Sequence, residues 1–224
     1  MDKKFLPEHL SKDILRKYGI TIPEERFISY HSESNNIHKI IERAAEEIGY
    51  PVVLKGISEN IPHKTEAGLV KLRIRNKREL FISLSEILEA PLPHKLDGFL
   101  VQKYISSKRE LIAGIINDNV FGYCVMFGLG GIFAEVINDV TFRIAPIQWQ
   151  DGDDMIQELR SKNILSEWRG EPPVNKEELI KVLVKLSQIP FAEKIDGKEI
   201  KEIDINPLVP FEDKIYAVDA LIVF

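Results

Sequence analysis

Apolar residues recur at helical spacing in several separate parts of this chain. Near the N-terminus Leu10, Ile14, Leu15 and Tyr18 share one helical face, and Gly19 follows them as a candidate C-cap. The same periodicity predicts further helices over residues 34–48, 77–90, 151–160 and 175–190.

Short apolar runs between these helices predict strands. "RFISY", "PVVLK" and residues 68–74 supply the first three. From Gly98 to Pro146 the pattern is almost entirely β, as "FLVQKYI", "ELIAGIIN", "VFGYCVMFG", "IFAEVI" and "TFRIAPI". Two strands, "KEIKEIDINPLV" and "KIYAVDALIVF", close the chain. The order of elements predicts an α+β fold with two sub-layers.

Composition and charge narrow the classes of partner. The 224 residues are 44% hydrophobic, which is enough for a sizeable core in one domain or two small subdomains. A net charge of −5 argues against a broad nucleic-acid surface, so any phosphate site must be built locally. No apolar run reaches the length of a membrane span, and Cys124 is the only cysteine. We therefore expect a cytoplasmic protein with neither a nucleic-acid nor a membrane partner.

Polar residues interrupt the two closing strands. Alternation places Asp204 and Asn206 on one face of "EIDINPLV", and Asp219 breaks the apolar run "YAVDALIVF". A carboxylate in such a strand is costly unless it is paired or binds a cation. On adjacent strands the three side chains would form an all-oxygen cluster of the kind that Mg²⁺ takes together with substrate phosphates. An Asp–Arg pair or a hydrogen-bonded turn is the structural alternative.

Two further features suit phosphate binding. Gly128, Gly130 and Gly131 separate two apolar strands, and glycines let backbone N–H groups approach phosphate oxygens. A simple hairpin turn explains these glycines equally well, and no helix follows them as in a P-loop. Lys55 ends the strand "PVVLK", where an ammonium group suits a point contact with phosphate.

The stretch "NIPHKTEAGLV" raises a different question. It carries His63, Lys64 and Glu66 within a few residues, which fits neither a core strand nor an ordinary surface strand. The sequence pattern leaves the role of this histidine open.

Six motifs in order resemble one family. They are "PVVLK", "HKTEAG", "VQKYI", "RELIAGIINDNVFG", "MFGLGGIFAEVINDVTFRIAPI" and "EIDINPLV" with "AVDA". Together they resemble the β subunit of ADP-forming acetyl-CoA synthetase, also called ADP-forming acetate–CoA ligase, from about Ser11 to the C-terminus. That subunit is an ATP-grasp domain of the acyl-CoA synthetase superfamily. The resemblance implies one ATP-grasp domain over 1–224, whose subdomains, about 20–97 and 98–224, grip a nucleotide.

The resemblance also implies roles for individual residues. Lys55 would contact the nucleotide phosphates, and Glu110 would line the nucleotide pocket. Backbone groups of the segment Gln102, Lys103, Tyr104 and Ile105 would read adenine. The three glycines, Gly128, Gly130 and Gly131, would form a loop over the phosphates of ATP or ADP. Asp204, Asn206 and Asp219 would hold Mg²⁺.

His63 lies where the family has a histidine on a mobile loop. In that family an α subunit binds CoA and acyl substrate, and the β-subunit histidine carries a phosphoryl group to ADP. Imidazole suits this task because it is nucleophilic when neutral near pH 7. Glu66 would orient the ring. Gly68 and Leu69 stand where the family often has two glycines, which would stiffen the end of the loop. An α₂β₂ assembly with the α subunit is implied.

Two other functions fit parts of the sequence. A stand-alone ATP-grasp ligase that joins a carboxylate to an amine would need no phosphohistidine, and usually has an additional N-terminal substrate domain. A non-catalytic nucleotide-binding module that regulates a partner would be expected to lack the histidine or the metal ligands, and both are present here.

Overall fold

The computed structural model describes residues 4–30, 36–61, 64–92, 94–131 and 139–224. Two predicted features, His63 and the strand "IFAEVI", lie outside these residues. The chain divides into two compact units, a smaller one of Pro23–Tyr104 and a larger one of Met1–Ile22 with Ile105–Phe224.

Helices and strands alternate much as the hydrophobic pattern predicts. The strands of the smaller unit are β2 (Glu25–Ser29), β3 (Val52–Ile57), β4 (Val70–Ile74) and β5 (Gly98–Lys103), and its helices are α2 (Ile37–Ile48) and α3 (Lys77–Leu88). The larger unit contains β1 (Phe5–Leu6), α1 (Glu8–Lys17), β6 (Leu111–Asp118), β7 (Gly122–Leu129), β8 (Val140–Ile144), α4 (Trp149–Glu158), a 3₁₀ turn (Lys162–Leu165), α5 (Lys176–Ala192), β9 (Lys194–Ile195), β10 (Lys198–Glu199), β11 (Glu202–Phe211), β12 (Lys214–Ala217) and β13 (Ala220–Val223).

The smaller unit is an antiparallel sheet covered by two helices. Its strand order is β2-β5-β3-β4. Both α2 and α3 pack against this sheet, because each carries a stripe of buried aliphatic residues. The core lies between sheet and helices and includes Ile41, Leu54, Leu84, Phe99 and Val101.

The larger unit is built on a seven-stranded antiparallel sheet. The order is β1-β13-β11-β6-β7-β8, with β12 also paired to β11. Helix α5 packs on β6 and β7, and α4 packs on β7 and β8. The core on this side of the sheet includes Ala113, Ile115, Phe127, Ile203 and Leu183. The opposite face therefore carries the alternate residues of each strand.

The N-terminal helix α1 is fastened to the C-terminal strand β13. The Ile222 N–H donates to Ser11 Oγ (3.2 Å), and the Phe224 N–H donates to the Lys4 carbonyl (2.9 Å). Within α1, Lys12 Nζ lies 2.5 Å from Glu8 Oε1, and both side chains are fully buried. These contacts assign the first residues of the chain to the larger unit.

The division between the units falls after Tyr104 rather than near residue 97. Strand β5 belongs to the smaller unit because it pairs with β2 on one side and β3 on the other. The boundary predicted near residue 97 therefore separated β5 from β2 and β3, the strands with which it pairs. The predicted C-terminal part also lacked α1, whose partner β13 is distant in sequence.

Gly128 is a strand residue, which corrects its expected place in a phosphate loop. It lies in β7, opposite Ile112 on one side and Val140 on the other. A Cβ at this position would lie 2.4 Å from the Asp139 carbonyl oxygen. The absence of a side chain at Gly128 is therefore explained by the close approach of β7 and β8.

Within the described part of the chain, none of the helices combines the length and apolar character that crossing a membrane requires.

We expect Gly128→Ala to lower the free energy of unfolding by about 1–3 kcal/mol, because backbone rather than a flexible side chain must shift to admit the methyl group. Urea unfolding followed by circular dichroism measures the effect. Gly152→Ala is a useful comparison, since its Cβ would meet the Ile180 side chain at 3.0 Å, and that side chain can move. Equal stability of Gly128→Ala and the parent would contradict this account of the glycine.

Candidate functional site

The predicted metal ligands lie at an interruption in the central ladder of the larger unit. Ile205 pairs with Ala220 of β13, and Leu208 pairs with Ala217 of β12. Both pairs belong to one antiparallel register, and continuing that register places Asn206 opposite Asp219. Pro207 has no N–H, and its carbonyl accepts from the Val218 N–H at 3.1 Å. The two polar residues therefore occupy opposite positions of this register, where the ladder is interrupted.

A β-bulge lies at the same point on the other side of β11. Ile205 pairs with Ala113 and Leu208 with Leu111, so Asn206 and Pro207 together oppose the single residue between those two partners. Such bulges redirect side chains and are frequent beside functional sites.

Strand alternation brings Asp204 to the same face. Ile203 and Ile205 are buried in the core, whereas Asp204 is half-buried and Asn206 is exposed. Asp204 pairs with Leu221 of β13, two residues beyond Asp219. This register is compatible with the predicted grouping of the three oxygen-bearing side chains, which stays a prediction.

The donor set fits a hard cation. Two carboxylates and a carboxamide offer only oxygen ligands, which Mg²⁺ prefers. Among the described residues no group of three or more His, Cys, Asp or Glu side chains forms a metal site by itself. A cation held by Asp204, Asn206 and Asp219 would thus need further oxygen ligands, as Mg²⁺ usually obtains from water and phosphate.

The start of β6 joins this region to the glycine segment. Leu111 pairs with Leu208 of β11 on one side and with Leu129 of β7 on the other. The Gly130 N–H donates to the Glu110 carbonyl at 2.9 Å. Gly131 has φ +69°, and a Cβ there would lie 2.6 Å from Glu110 Oε2. Glu110 therefore lies beside Gly130 and Gly131.

In the smaller unit, Lys55 and Gln102 share one face of the sheet. Their neighbours Leu54 and Val101 point into the helix-covered core, so alternation turns Lys55 and Gln102 to the other face. Lys55 pairs with Leu100 on the strand that carries Gln102. Both side chains are almost fully buried, with 2% and 0% of their surface exposed. A buried lysine on this face is a candidate contact for an anion.

Part of the predicted adenine-reading segment is already hydrogen-bonded within the smaller unit. The Lys103 N–H donates to the Glu24 carbonyl (2.8 Å), and the Tyr104 N–H donates to the Pro51 carbonyl (3.1 Å). Lys103 Nζ donates to the Gly49 carbonyl at 2.7 Å, at the C-terminus of α2. Any reading of adenine by these residues must therefore use other groups of the segment, such as carbonyls.

The residues after His63 form a closed turn. The Leu69 N–H donates to the Lys64 carbonyl (2.9 Å), and the Gly68 N–H donates to the Thr65 carbonyl (3.1 Å). Glu66 is exposed on this turn, while Leu69 is fully buried in the core of the smaller unit. The leucine thus anchors the C-terminal end of the loop.

Sequence patterns missed Arg109, which lies next to Glu110. Only 3% of Arg109 is exposed, and its guanidinium donates to the carbonyls of Ile164 (3.2 Å), Ser166 (3.2 Å) and Pro172. The charged run "SSKRE" was its only sequence signal, because all the acceptors are more than fifty residues away.

Asp139 accepts hydrogen bonds from the residues just before the segment that Arg109 contacts. Its carboxylate accepts from the N–H groups of Arg160 (3.0 Å) and Ser161 (2.8 Å), and from Ser161 Oγ. Burial alone would raise the pKa of Asp139, but the hydrogen bonds from Ser161 and Arg160 outweigh it and lower that pKa below its usual value. Asp139 and Arg109 together fix the path of residues 160–172.

Comparison with known proteins identifies the family of the chain. The ATP-grasp domain family matches residues 1–224. The chain is 40% identical over 219 residues to the β subunit of ADP-forming acetate–CoA ligase I from Pyrococcus furiosus, covering 96% of this chain and 90% of that one. It is 34% identical over 211 residues to the ADP-forming 4-hydroxybutyrate–CoA ligase of Nitrosopumilus maritimus, covering 92% of this chain but 29% of that protein.

Solved structures support the same assignment. A complex of the dinucleotide-forming acetyl-coenzyme A synthetase 1 of Ca. Korarchaeum cryptofilum with coenzyme A and Ca-AMPCP matches with a TM-score of 0.90, 35% identity and coverage of 99% of this chain and 93% of that one. A second complex, with coenzyme A and Mg-AMPPCP, has a phosphohistidine segment that points towards the nucleotide site and matches with a TM-score of 0.81 at the same identity and coverage. The predicted fold and family are confirmed: the chain belongs to the ATP-grasp family of β subunits of ADP-forming acetate–CoA ligases.

Proposed function

We propose that this chain is the nucleotide-binding subunit of an ADP-forming acid–CoA ligase. The overall reaction is acyl-CoA + ADP + phosphate ⇌ acid + ATP + CoA. On a partner subunit, phosphate displaces CoA to give an acyl phosphate, and a histidine there takes the phosphoryl group and releases the acid. His63 of this chain then accepts that group and passes it to ADP, which restores the imidazole and forms ATP. The observation that carries the proposal is the Asn206–Asp219 pair at the interrupted ladder.

Asp204, Asn206 and Asp219 are the proposed holders of Mg²⁺. When bound, the ion would neutralise phosphate charge and orient the phosphoryl oxygens. The bulge at Asn206–Pro207 supports this role, because bulges disrupt the ladder locally and are frequent beside functional sites. The half-buried Asp204 would add a second carboxylate from the same face.

Each unit has further candidates for nucleotide contact. In the larger unit, Gly130 and Gly131 would approach phosphate with their backbone, and Glu110 would line the pocket beside them. In the smaller unit, the Lys55 ammonium would meet phosphate as a point charge, and carbonyls of the segment from Gln102 through Lys103 and Tyr104 to Ile105 would read adenine. Gly128 has no part in this proposal, because strand packing accounts for it.

His63 is proposed to attack through a neutral imidazole nitrogen, and its phosphoramidate is a good phosphoryl donor. Glu66 would accept the other ring N–H. The exposed position of Glu66 on the Lys64–Gly68 turn leaves its carboxylate accessible for this role. The buried Leu69 would confine movement of the loop to residues before it.

A comparison of the lengths of two relatives supports a separate α partner. One relative is named a β subunit and has nearly the length of this chain, whereas the single-chain 4-hydroxybutyrate–CoA ligase is matched over only 29% of its length. The CoA and acyl sites would therefore lie on another subunit, in an α₂β₂ assembly. A cytoplasmic location stays a prediction from the sequence.

The isolated chain should bind Mg-ADP or Mg-ATP without catalysing thioester formation, because it supplies only the nucleotide side of the reaction. Calorimetric titration with nucleotide and a thioester assay with acetate, CoA and ATP test the two halves. Adding a co-purified α partner should restore turnover. Full ligase turnover by the pure chain would contradict the proposal that the CoA and acyl sites lie on another subunit.

Asn206→Ala and Asp219→Ala should weaken the dependence of phosphoryl transfer on Mg²⁺, because each removes one oxygen ligand. We expect the Mg²⁺ concentration for half-maximal rate to rise at least about tenfold, which corresponds to about 1.4 kcal/mol of metal binding. Asp213→Ala, on the exposed turn between β11 and β12, is the matched carboxylate control. An unchanged Mg²⁺ requirement in both test variants would make the cluster structural.

His63→Ala should abolish covalent labelling of this chain. The assembled complex is incubated with γ-labelled ATP and Mg²⁺, quenched rapidly, and examined for acid-labile, base-stable label on this subunit. A positioning histidine would cost about 10²–10⁴-fold in rate, whereas loss of an obligate carrier should cost more. His94→Ala, which changes an exposed histidine, should keep the label. Absence of label on the parent chain at any quench time would rule out the carrier role.

A further inference from the structure

The Lys103 side chain reaches the C-terminus of helix α2. Its Nζ donates to the Gly49 carbonyl at 2.7 Å and to the Tyr50 carbonyl at 3.4 Å. Gly49 follows the last residue of α2 and has φ +80°, so the helix ends there. The last carbonyls of a helix lack partners within the helix and carry partial negative charge, which an ammonium group offsets. Lys103 therefore caps α2 from a different element, since it is the last residue of β5.

The backbone of Lys103 is held at the same place. Its N–H donates to the Glu24 carbonyl (2.8 Å), and the next N–H, of Tyr104, donates to the Pro51 carbonyl (3.1 Å). Lys103 also pairs with Val52, the first residue of β3. The backbone and the side chain of Lys103 therefore both bind the short connection that leads from α2 into β3.

These contacts decide which backbone groups of the segment can meet a ligand. The N–H groups of Lys103 and Tyr104 are already used within the smaller unit. A base read by their carbonyls must offer a hydrogen-bond donor. Adenine has such a donor in its 6-amino group, whereas guanine and hypoxanthine have a carbonyl oxygen at that position. The hydrogen bonding of the segment therefore favours a 6-aminopurine over a 6-oxopurine.

We propose that the Lys103 ammonium is a positioning group for the purine base. The inference rests on the proposed function and deepens it, because it names the class of base and the side chain that sets the preference. By holding the end of α2, the ammonium fixes the connection that supplies the acceptor for the Tyr104 N–H. The carbonyls of the segment are thereby kept where they can accept from a 6-amino group. The ammonium itself binds the connection and leaves the base to the backbone.

The test is Lys103→Met in the full chain, with calorimetric titration of Mg-ADP and of Mg-IDP, whose hypoxanthine base has the 6-oxo group. The parent chain should bind ADP at least about tenfold more tightly, because IDP places an oxygen against an acceptor. Lys103→Met should raise the Kd for ADP about tenfold and leave the Kd for IDP within about twofold. Its melting temperature should fall by about 2–4 °C, since the end of α2 loses its cation.

A second substitution at the same position keeps a donor without the charge. Lys103→Gln has a shorter, neutral side chain whose amide can still donate to a carbonyl. We expect it to retain part of the preference for ADP over IDP. The comparison of ADP with IDP can be made on this variant alone if Lys103→Met does not fold.

Lys71→Met is the matched control in the same unit. Lys71 Nζ lies 2.6 Å from Glu86 Oε2 and so links β4 to α3. Its loss should change the melting temperature by a similar amount or less. The Kd values for ADP and IDP should both stay within about twofold of the parent values.

The ratio of the two Kd values separates a positioning role from a purely structural one. Equal weakening of ADP and IDP binding in the Lys103 variants, or an unchanged ratio, would overturn the inference. A parent chain that binds ADP and IDP equally well would also overturn it, and would leave the proposed function standing. A parent chain that binds neither nucleotide would overturn the proposed function itself.

Discussion

The interrupted ladder at Asn206 and Pro207 is the constraint on which the larger unit's candidate site depends. β11 lies in the middle of the sheet, and it changes partner from β13 to β12 at this point. Proline cannot donate to the ladder, so the interruption is built into the sequence. It coincides with the bulge against β6, next to the residue that alternation places on the face of Asp204 and that the register places opposite Asp219.

The start of β6 connects this interruption in the ladder to the glycine segment. Leu111 is paired on both sides, so the residues just before it lie between the bulge and the glycine segment. Glu110 faces that segment, while Arg109 turns the other way and holds residues 164–172. One short stretch of chain thus contacts the strand with the proposed metal ligands, the glycine segment and the segment that Arg109 holds.

The sequence anticipated features that depend on local alternation. The common face of Asp204 and Asn206 follows from the two-residue period of a strand, and the structure has the same alternation of buried and half-exposed residues. The helices were likewise predicted from their apolar stripes. The ATP-grasp fold required the order of motifs, because periodicity alone gives elements and not their arrangement.

Features that depend on distant partners were missed. Gly128 resembled a loop glycine because only the approach of β8 reveals its steric role. The boundary near residue 97 was wrong for β5 because its pairing with β2 joins residues far apart in sequence. Arg109 offered a single signal, the charged run that contains it. Its hydrogen bonds join residues about sixty positions apart.

The central claim is that this chain binds nucleotide through a cation held at the interrupted ladder. Calorimetric titration of the chain with ADP, in buffer with Mg²⁺ and again with EDTA, tests it most directly. The account predicts tight binding with Mg²⁺ and a Kd at least about tenfold weaker without it, because phosphate charge is then left beside two carboxylates. Equal affinity in the two buffers would contradict the account.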